Sequence, residues 1–285
     1  MSGGRERVQA TFWLLEAPDS LAEQSRREPD GTGLGYYDED GSARVDKQPL
    51  AAYQDEQFAQ KAREITSRTF VAHVRYASGS PVTYENTHPF EQAGRLFAHN
   101  GVIGQLPTLE RALGDDMSLV HGETDSERYF ALITREIART GDVREGIIAA
   151  AQWIAEHLPV FAINCVLITA SGLYALRYPD VHELYVLERA AGGPSGARHL
   201  DHASARGSIR VRSSDLGTRP AVVVATEPMD EDPGWRALGS GDLLHVDADL
   251  NATVERVLER PPAHQLTLAD LDQKAAASQR AAGRT

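Results

Sequence analysis

Residues 69–77 read TFVAHVRYA and residues 95–104 read RLFAHNGVIG. Both are short apolar runs bounded by turn formers, and both read as buried strands joined by a long loop. Upstream, residues 10–27 mix Phe12, Trp13, Leu14, Leu15 and Leu21 with polar positions, which predicts a helix. PDGTGLG (29–35) reads as a glycine-rich turn, and the stretch after it as a hairpin with Asp40-Gly41 at its tip. Residues 55–65 carry a helical pattern.

Downstream, Thr124 or Ser126 is placed to cap a helix running to about Arg139, and Asp142 to cap the next, DVREGIIAAAQWIAEHL. Beyond Pro159 the texture becomes β, with VFAINCVLITA, GLYALRY, ELYVLERA, SIRVRSS, AVVVATE, DLLHVDA and TVERVLE separated by turn residues. Strands, a helix pair and further strands predict an α+β fold with two sheets and helices packed outside. We expect one domain over residues 1–258, a mobile loop over 190–208 and a weakly ordered tail over 259–285. No internal repeat is present.

With 285 residues, 41% hydrophobic and 25% charged, the chain has the composition of an ordinary globular domain and core enough to need no staple. A formal net charge of -12 argues against nucleic acid as a partner. The single cysteine, Cys165, excludes an intramolecular disulfide and a cysteine-rich zinc site, and its apolar setting predicts a buried, inert thiol. No apolar stretch is long enough to span a bilayer, and MSGGRERVQATF has no signal-peptide core, so a cytoplasmic location is expected. Nothing calls for a metal or cofactor.

Three signals carry chemistry: HVRYAS (73–78), AHNGVI (98–103) and GETDSE (122–127). Taken singly, each has a plain structural reading. An arginine at a strand end is usually a surface ion pair, Asn-Gly is usually a turn, and TDSE is first a capping box from Thr124 to Glu127.

Their order, with NTHPF (86–90) between the first two and PDGTG upstream, resembles the glutaminase domain of class II glutamine amidotransferases. ATEPM and GWRALGSGDLLHVD resemble that family's small stand-alone branch. The resemblance implies a four-layer αββα sandwich of the N-terminal-nucleophile type. It assigns Arg75 to the substrate α-carboxylate, which a planar guanidinium grips bidentately, and Asp125 to the α-ammonium. It assigns Asn100 (side-chain NH2) and Gly101 (backbone N–H) to the oxyanion hole. Tyr76, Ser78 and His88 fall at pocket-lining positions, though a histidine before proline often only anchors backbone. His73 and His99 are expected to point away from the motif residues beside them, an argument weaker for His73, which shares Arg75's strand parity.

In this family the nucleophile is an N-terminal cysteine whose own α-amine is the general base. No cysteine precedes Cys165, and Cys165 has no adjacent free amine. Three explanations stand: a start placed too late, with MSGG continuing a strand that begins earlier; Ser2 exposed after removal of Met1; or a pseudoenzyme that binds glutamine or a partner without turnover. The first is favoured, because the rest of the constellation is intact. The function implied is hydrolysis of a γ-glutamyl amide, either glutamine, with ammonia passing to a separate partner subunit, or a γ-glutamyl conjugate in a stand-alone amidohydrolase.

Overall fold

In the computed structural model, which describes residues 1–191, 200–203, 210–213 and 219–280, the first half of the chain holds β1 (Val8–Gln9), α1 (Leu21–Gln24), β2 (Thr32–Tyr37), β3 (Ala43–Gln48), α2 (Glu56–Glu64), β4 (Thr66–Ser67), β5 (Phe70–Val74), β6 (Phe90–Gln92), β7 (Arg95–Ile103) and α3 (Leu106–Leu113). The helix pair α4 (Asp125–Thr140) and α5 (Val143–His157) follows. The rest is β8 (Pro159–Ile168), β9 (Leu173–Arg177), β10 (Tyr185–Arg189), β11 (Leu200–Ala203), β12 (Arg210–Ser213), β13 (Ala221–Ala225), β14 (Arg236–Ala237), β15 (Asp242–Val246), β16 (Ala252–Arg256), β17 (His264–Gln265) and α6 (Gln273–Ser278). The loop expected over 190–208 lies mostly outside the described residues, apart from β11 and its pairing with β12.

The molecule is an αββα sandwich. One inner sheet has the order β16-β15-β9-β8-β7-β6, with β17 parallel to the start of β8. The other inner layer holds β3-β2-β5 and β13-β10-β14. Val71, Leu96, Ala98, Ala175, Val186 and Leu244 fill the space between the layers. On the outside of the larger sheet, α4 and α5 bury Phe130, Ile133, Ile147 and Ile154 against Phe97, Ile163 and Leu167. On the far side α1 and α2 cover Leu34, Phe70 and Val74. Each layer follows from the period of its sequence: alternation within the strands and a three-to-four repeat in α4.

The chain's first residues join the two halves of the second layer. Met1 and Phe70 exchange both backbone hydrogen bonds, at 2.8 and 2.9 Å, and Ser2 does the same with Val222 at 2.8 and 2.9 Å. Met1–Gly3 therefore runs as a short antiparallel strand between the edges of β5 and β13.

Several expected boundaries move. The helix over 10–27 is broken into a π-helical turn (Phe12–Glu16) and α1. Pro18 is the cause: it lacks an N–H and forces Ala17 out of the helical region, to ψ 151°. The glycine-rich turn over 29–35 is mostly strand β2, whose glycines allow another segment close by, since a Cβ on Gly33 would meet the His88 carbonyl at 2.0 Å. The caps hold. Thr124 accepts from Glu127 N at 3.2 Å, and Asp142 from Glu145 N at 2.9 Å. The segment read as a tail carries β17 and α6, docked against β8 and the loop after β9. Among the described residues no helix is long and apolar enough to cross a membrane.

Candidate active site

Arg75 follows the last residue of β5, and its side chain turns inward. The loop beyond it folds back so that Nη1 donates to Pro81 O at 3.1 Å, while Nη2 donates to Ser80 Oγ at 2.7 Å and Ser80 O at 3.2 Å. The guanidinium is thereby held in one orientation while 5% of the residue remains exposed. Burial lowers its pKa, against the pull of Asp30, but a guanidinium stays charged throughout. Asp30 braces the same turn by accepting from Ala77 N at 2.9 Å. Tyr76 lies exposed at the rim and Ser78 is half-buried beside it.

Asn100 and Gly101 lie mid-strand in β7, opposite Asn164 and Ile163 of β8. Gly101 has φ 155°, and an added Cβ would sit 1.8 Å from the carbonyl oxygen of Ala162. No residue with a side chain fits there, so the backbone can take a course closed to other residues. Two residues on, Ile103 N donates to Asp125 Oδ2 at 2.9 Å, while Asp125 Oδ1 accepts from Ser126 N at 2.8 Å. Asp125 is the first residue of α4, where the helix dipole favours its charge. These bonds tie the carboxylate to the strand carrying Asn100.

Three histidines back this arrangement. The His73 and His88 rings stack with centroids 4.2 Å apart. Burial pushes His73 down to about 4 and His88 well below the usual imidazole value, so both rings are neutral. Among the described residues neither ring nitrogen of His88 has a hydrogen-bond partner. His99 faces the helix layer, as strand alternation predicts, with Nδ1 2.9 Å from Ser126 Oγ and Nε2 3.2 Å from Ala162 O. His73 instead shares the face of Arg75, and both His73 and His99 line the cavity.

Arg75, Tyr76, Ser78, His88, Asn100, Gly101 and Asp125 all line one cavity of about 250 Å³ between the two sheets. Ser2 does not; it is buried mid-strand, with its hydroxyl accepting from Gly4 N at 3.2 Å. Cys165 contributes to the cavity wall, but burial pushes its thiol up to about 12, so it is protonated. Sequence reasoning missed Asn86, whose amide donates to Pro81 O at 3.2 Å and accepts from Glu123 N at 2.7 Å. Its place in NTHPF was the only signal. It also missed Ser278 and Gln279, which line the cavity from far along the chain and carry no local motif. Among the described residues no group of three or more His, Cys, Asp or Glu side chains could hold a metal ion.

On this fold Arg75, Asp125 and the Asn100-Gly101 pair meet in one cavity. The sequence matches the class II glutamine amidotransferases over residues 18–270, and the chain belongs to that family. It is 29% identical to the γ-glutamyl-hercynylcysteine sulfoxide hydrolase of Mycolicibacterium smegmatis, over 82% of this chain and 88% of that protein. It is also 29% identical to an uncharacterized protein of Methanocaldococcus jannaschii, over 79% of this chain, and spans only 63% of that relative's length. A glutamine aminotransferase class-II domain protein from Silicibacter pomeroyi has the same fold, with TM-score 0.54 and 20% identity over 81% of this chain and 92% of that one. So does the glutamine phosphoribosylpyrophosphate amidotransferase of B. subtilis, with TM-score 0.55 and 18% identity over 85% of this chain and 46% of that one.

Proposed function

We propose that this protein hydrolyses a γ-glutamyl amide in the cytoplasm, converting glutamine to glutamate and ammonia or releasing glutamate from a γ-glutamyl conjugate. The observation that carries this reading is the meeting of Arg75, Asp125 and the Asn100-Gly101 pair in one cavity. Arg75 takes the α-carboxylate and Asp125 the α-ammonium, leaving the side-chain carbonyl directed at Asn100 and Gly101. Their N–H groups stabilise the oxyanion as a nucleophile adds to the amide carbon. Collapse of that tetrahedral intermediate expels the amine, which leaves with a proton, and water then hydrolyses the acyl-enzyme to glutamate. The relation to a γ-glutamyl-hercynylcysteine sulfoxide hydrolase supports a γ-glutamyl substrate. Released ammonia passes to solvent or to a separate partner subunit.

The nucleophile in this reading is a cysteine ahead of Met1. Phe70 and Val222 give both backbone groups to Met1 and Ser2. By strand alternation, Ala72, Val74 and Val224 present theirs toward the same gap, which opens into the cavity. Continuing the Met1–Phe70 register backwards brings a residue about five positions ahead of Met1 level with Arg75. An extended segment of that length fills the gap and sets a free α-amine and thiol beside Asn100.

The test is glutamate release from L-glutamine by a chain extended to a processed N-terminal cysteine at that position, beside the same extension led by alanine. Release from the first and not the second is expected. Equal rates from both would sink the assignment.

A further inference from the structure

We infer that Gln279 sets the size of leaving group this cavity accepts, a specificity role that rests on the γ-glutamyl reading above. Residues 260–280 form a strap across the start of β8. Tyr178 Oη donates to Arg260 O at 2.8 Å, Leu266 N donates to Val160 O at 2.8 Å, and Gln265 Nε2 donates to Val160 O at 3.1 Å. The strap ends in α6, which buries Ala275 and Ala276 and brings Gln279 to 8% exposure.

The Gln279 side chain is fixed at both ends. His182 Nε2 donates to its Oε1 at 2.9 Å, and its Nε2 donates to Ser278 Oγ at 3.0 Å. Burial holds the His182 imidazole below its usual pKa, so the ring is neutral and offers a single N–H for this bond. The carbonyl of His182 in turn accepts from Asn164 Nδ2 at 3.2 Å, and Asn164 is the cross-strand partner of Asn100. Gln279 is therefore tied to the oxyanion side of the cavity, away from the loop that fixes Arg75. The carbon that carries the developing oxyanion also carries the leaving amine, so the wall nearest Asn100 is the wall that amine meets.

Gln279 also lines a second cavity, outside the first, with Phe161, Pro179, Leu258 and Leu268 among its walls. Of the described residues, Gln279 alone lines both spaces. With Gln279 in place the leaving group is confined to something the size of ammonia. Shortened to a methyl, residue 279 joins the cavities, and an aromatic amine has an apolar surface to occupy.

Calorimetric titration of the full chain with L-glutamine and with L-γ-glutamyl-p-nitroanilide tests this, comparing the unsubstituted protein with Gln279→Ala and Gln279→Trp. The expected result is a ratio of anilide to glutamine affinity that rises at least tenfold in Gln279→Ala and does not rise in Gln279→Trp. A ratio in Gln279→Ala within twofold of the unsubstituted chain, with both ligands binding, overturns the inference and leaves the γ-glutamyl reading standing. Absence of saturable L-glutamine binding to the unsubstituted chain overturns both. Loss of a merely structural contact would lower melting temperature and weaken both ligands together, leaving the ratio unmoved.

Discussion

Arg75 and Asn86 donate to the same acceptor, the carbonyl oxygen of Pro81, at 3.1 and 3.2 Å. Asn86 also accepts from Glu123 N, two residues before Asp125. One buried amide thus spans the loop that fixes Arg75 and the helix start that carries Asp125. Asn86→Ala leaves the Glu123 N–H without its partner and releases both segments. A loss of about 1–3 kcal/mol in stability is expected, with glutamine affinity about tenfold weaker. Calorimetric titration beside thermal unfolding reads both, and a variant that loses stability while keeping its affinity would remove Asn86 from the site.

Arg75→Lys keeps the charge and loses the planar fork. Lysine cannot reproduce three directed bonds to Ser80 and Pro81 while facing a carboxylate. Binding of L-glutamine should fall by about tenfold or more, and Arg75→Ala should abolish it at accessible concentrations. Full affinity in Arg75→Lys would mean that charge alone is read.

Asn100 and Gly101 separate function from fold. Asn100→Ala should leave the melting temperature nearly unchanged and, in a chain competent for hydrolysis, lower the rate about a hundred- to a thousandfold. Gly101→Ala should fail differently. Its Cβ would lie 1.8 Å from Ala162 O, so β7 and β8 must part, and a destabilisation of several kcal/mol is expected on the scale of about 1–3 for overpacking alone. Equal stability of the two variants would contradict the strand geometry.

Glu28 lines the cavity and is pushed up to about 7, first by burial and then by the neighbouring Glu227 carboxylate, with Arg27 opposing. The folded chain therefore holds a proton that the unfolded chain, with a pKa near about 4.3, has released. The stabilisation from that proton is present below the unfolded value and is lost as pH rises through about 7. Glu28→Gln should gain on the order of 1–3 kcal/mol over the unsubstituted chain at pH 8 and little at pH 4. Urea unfolding at the two pH values measures the difference.

Much of this was legible before the structure. β5, β7 and the strands after Pro159 declare themselves as apolar runs, and Thr124 and Asp142 mark the starts of α4 and α5 through bonds made within four residues. Apart from His88, in the loop before β6, the candidate site residues sit in or close to those elements, which is why short motifs could find them. What the sequence hid depends on contacts distant along the chain. Helix α3 carries its apolar repeat, Leu106, Leu109 and Leu113, over only eight residues with Pro107 in its first turn, and the break at Pro18 turned an apparent helix into two short pieces. Gln279 reaches the cavity only because β17 pairs with β8, a contact across about a hundred residues that no local pattern encodes. His73 keeps the face its parity gives it and is kept neutral by burial, but its stacking partner, His88, comes from a loop.

The most direct test of γ-glutamyl recognition is calorimetric titration of the chain with L-glutamine and D-glutamine, repeated on Arg75→Ala and Asp125→Asn. The account predicts saturable, L-selective binding of one equivalent that is lost in both variants. Binding that persists in both, or that does not distinguish the enantiomers, would contradict it.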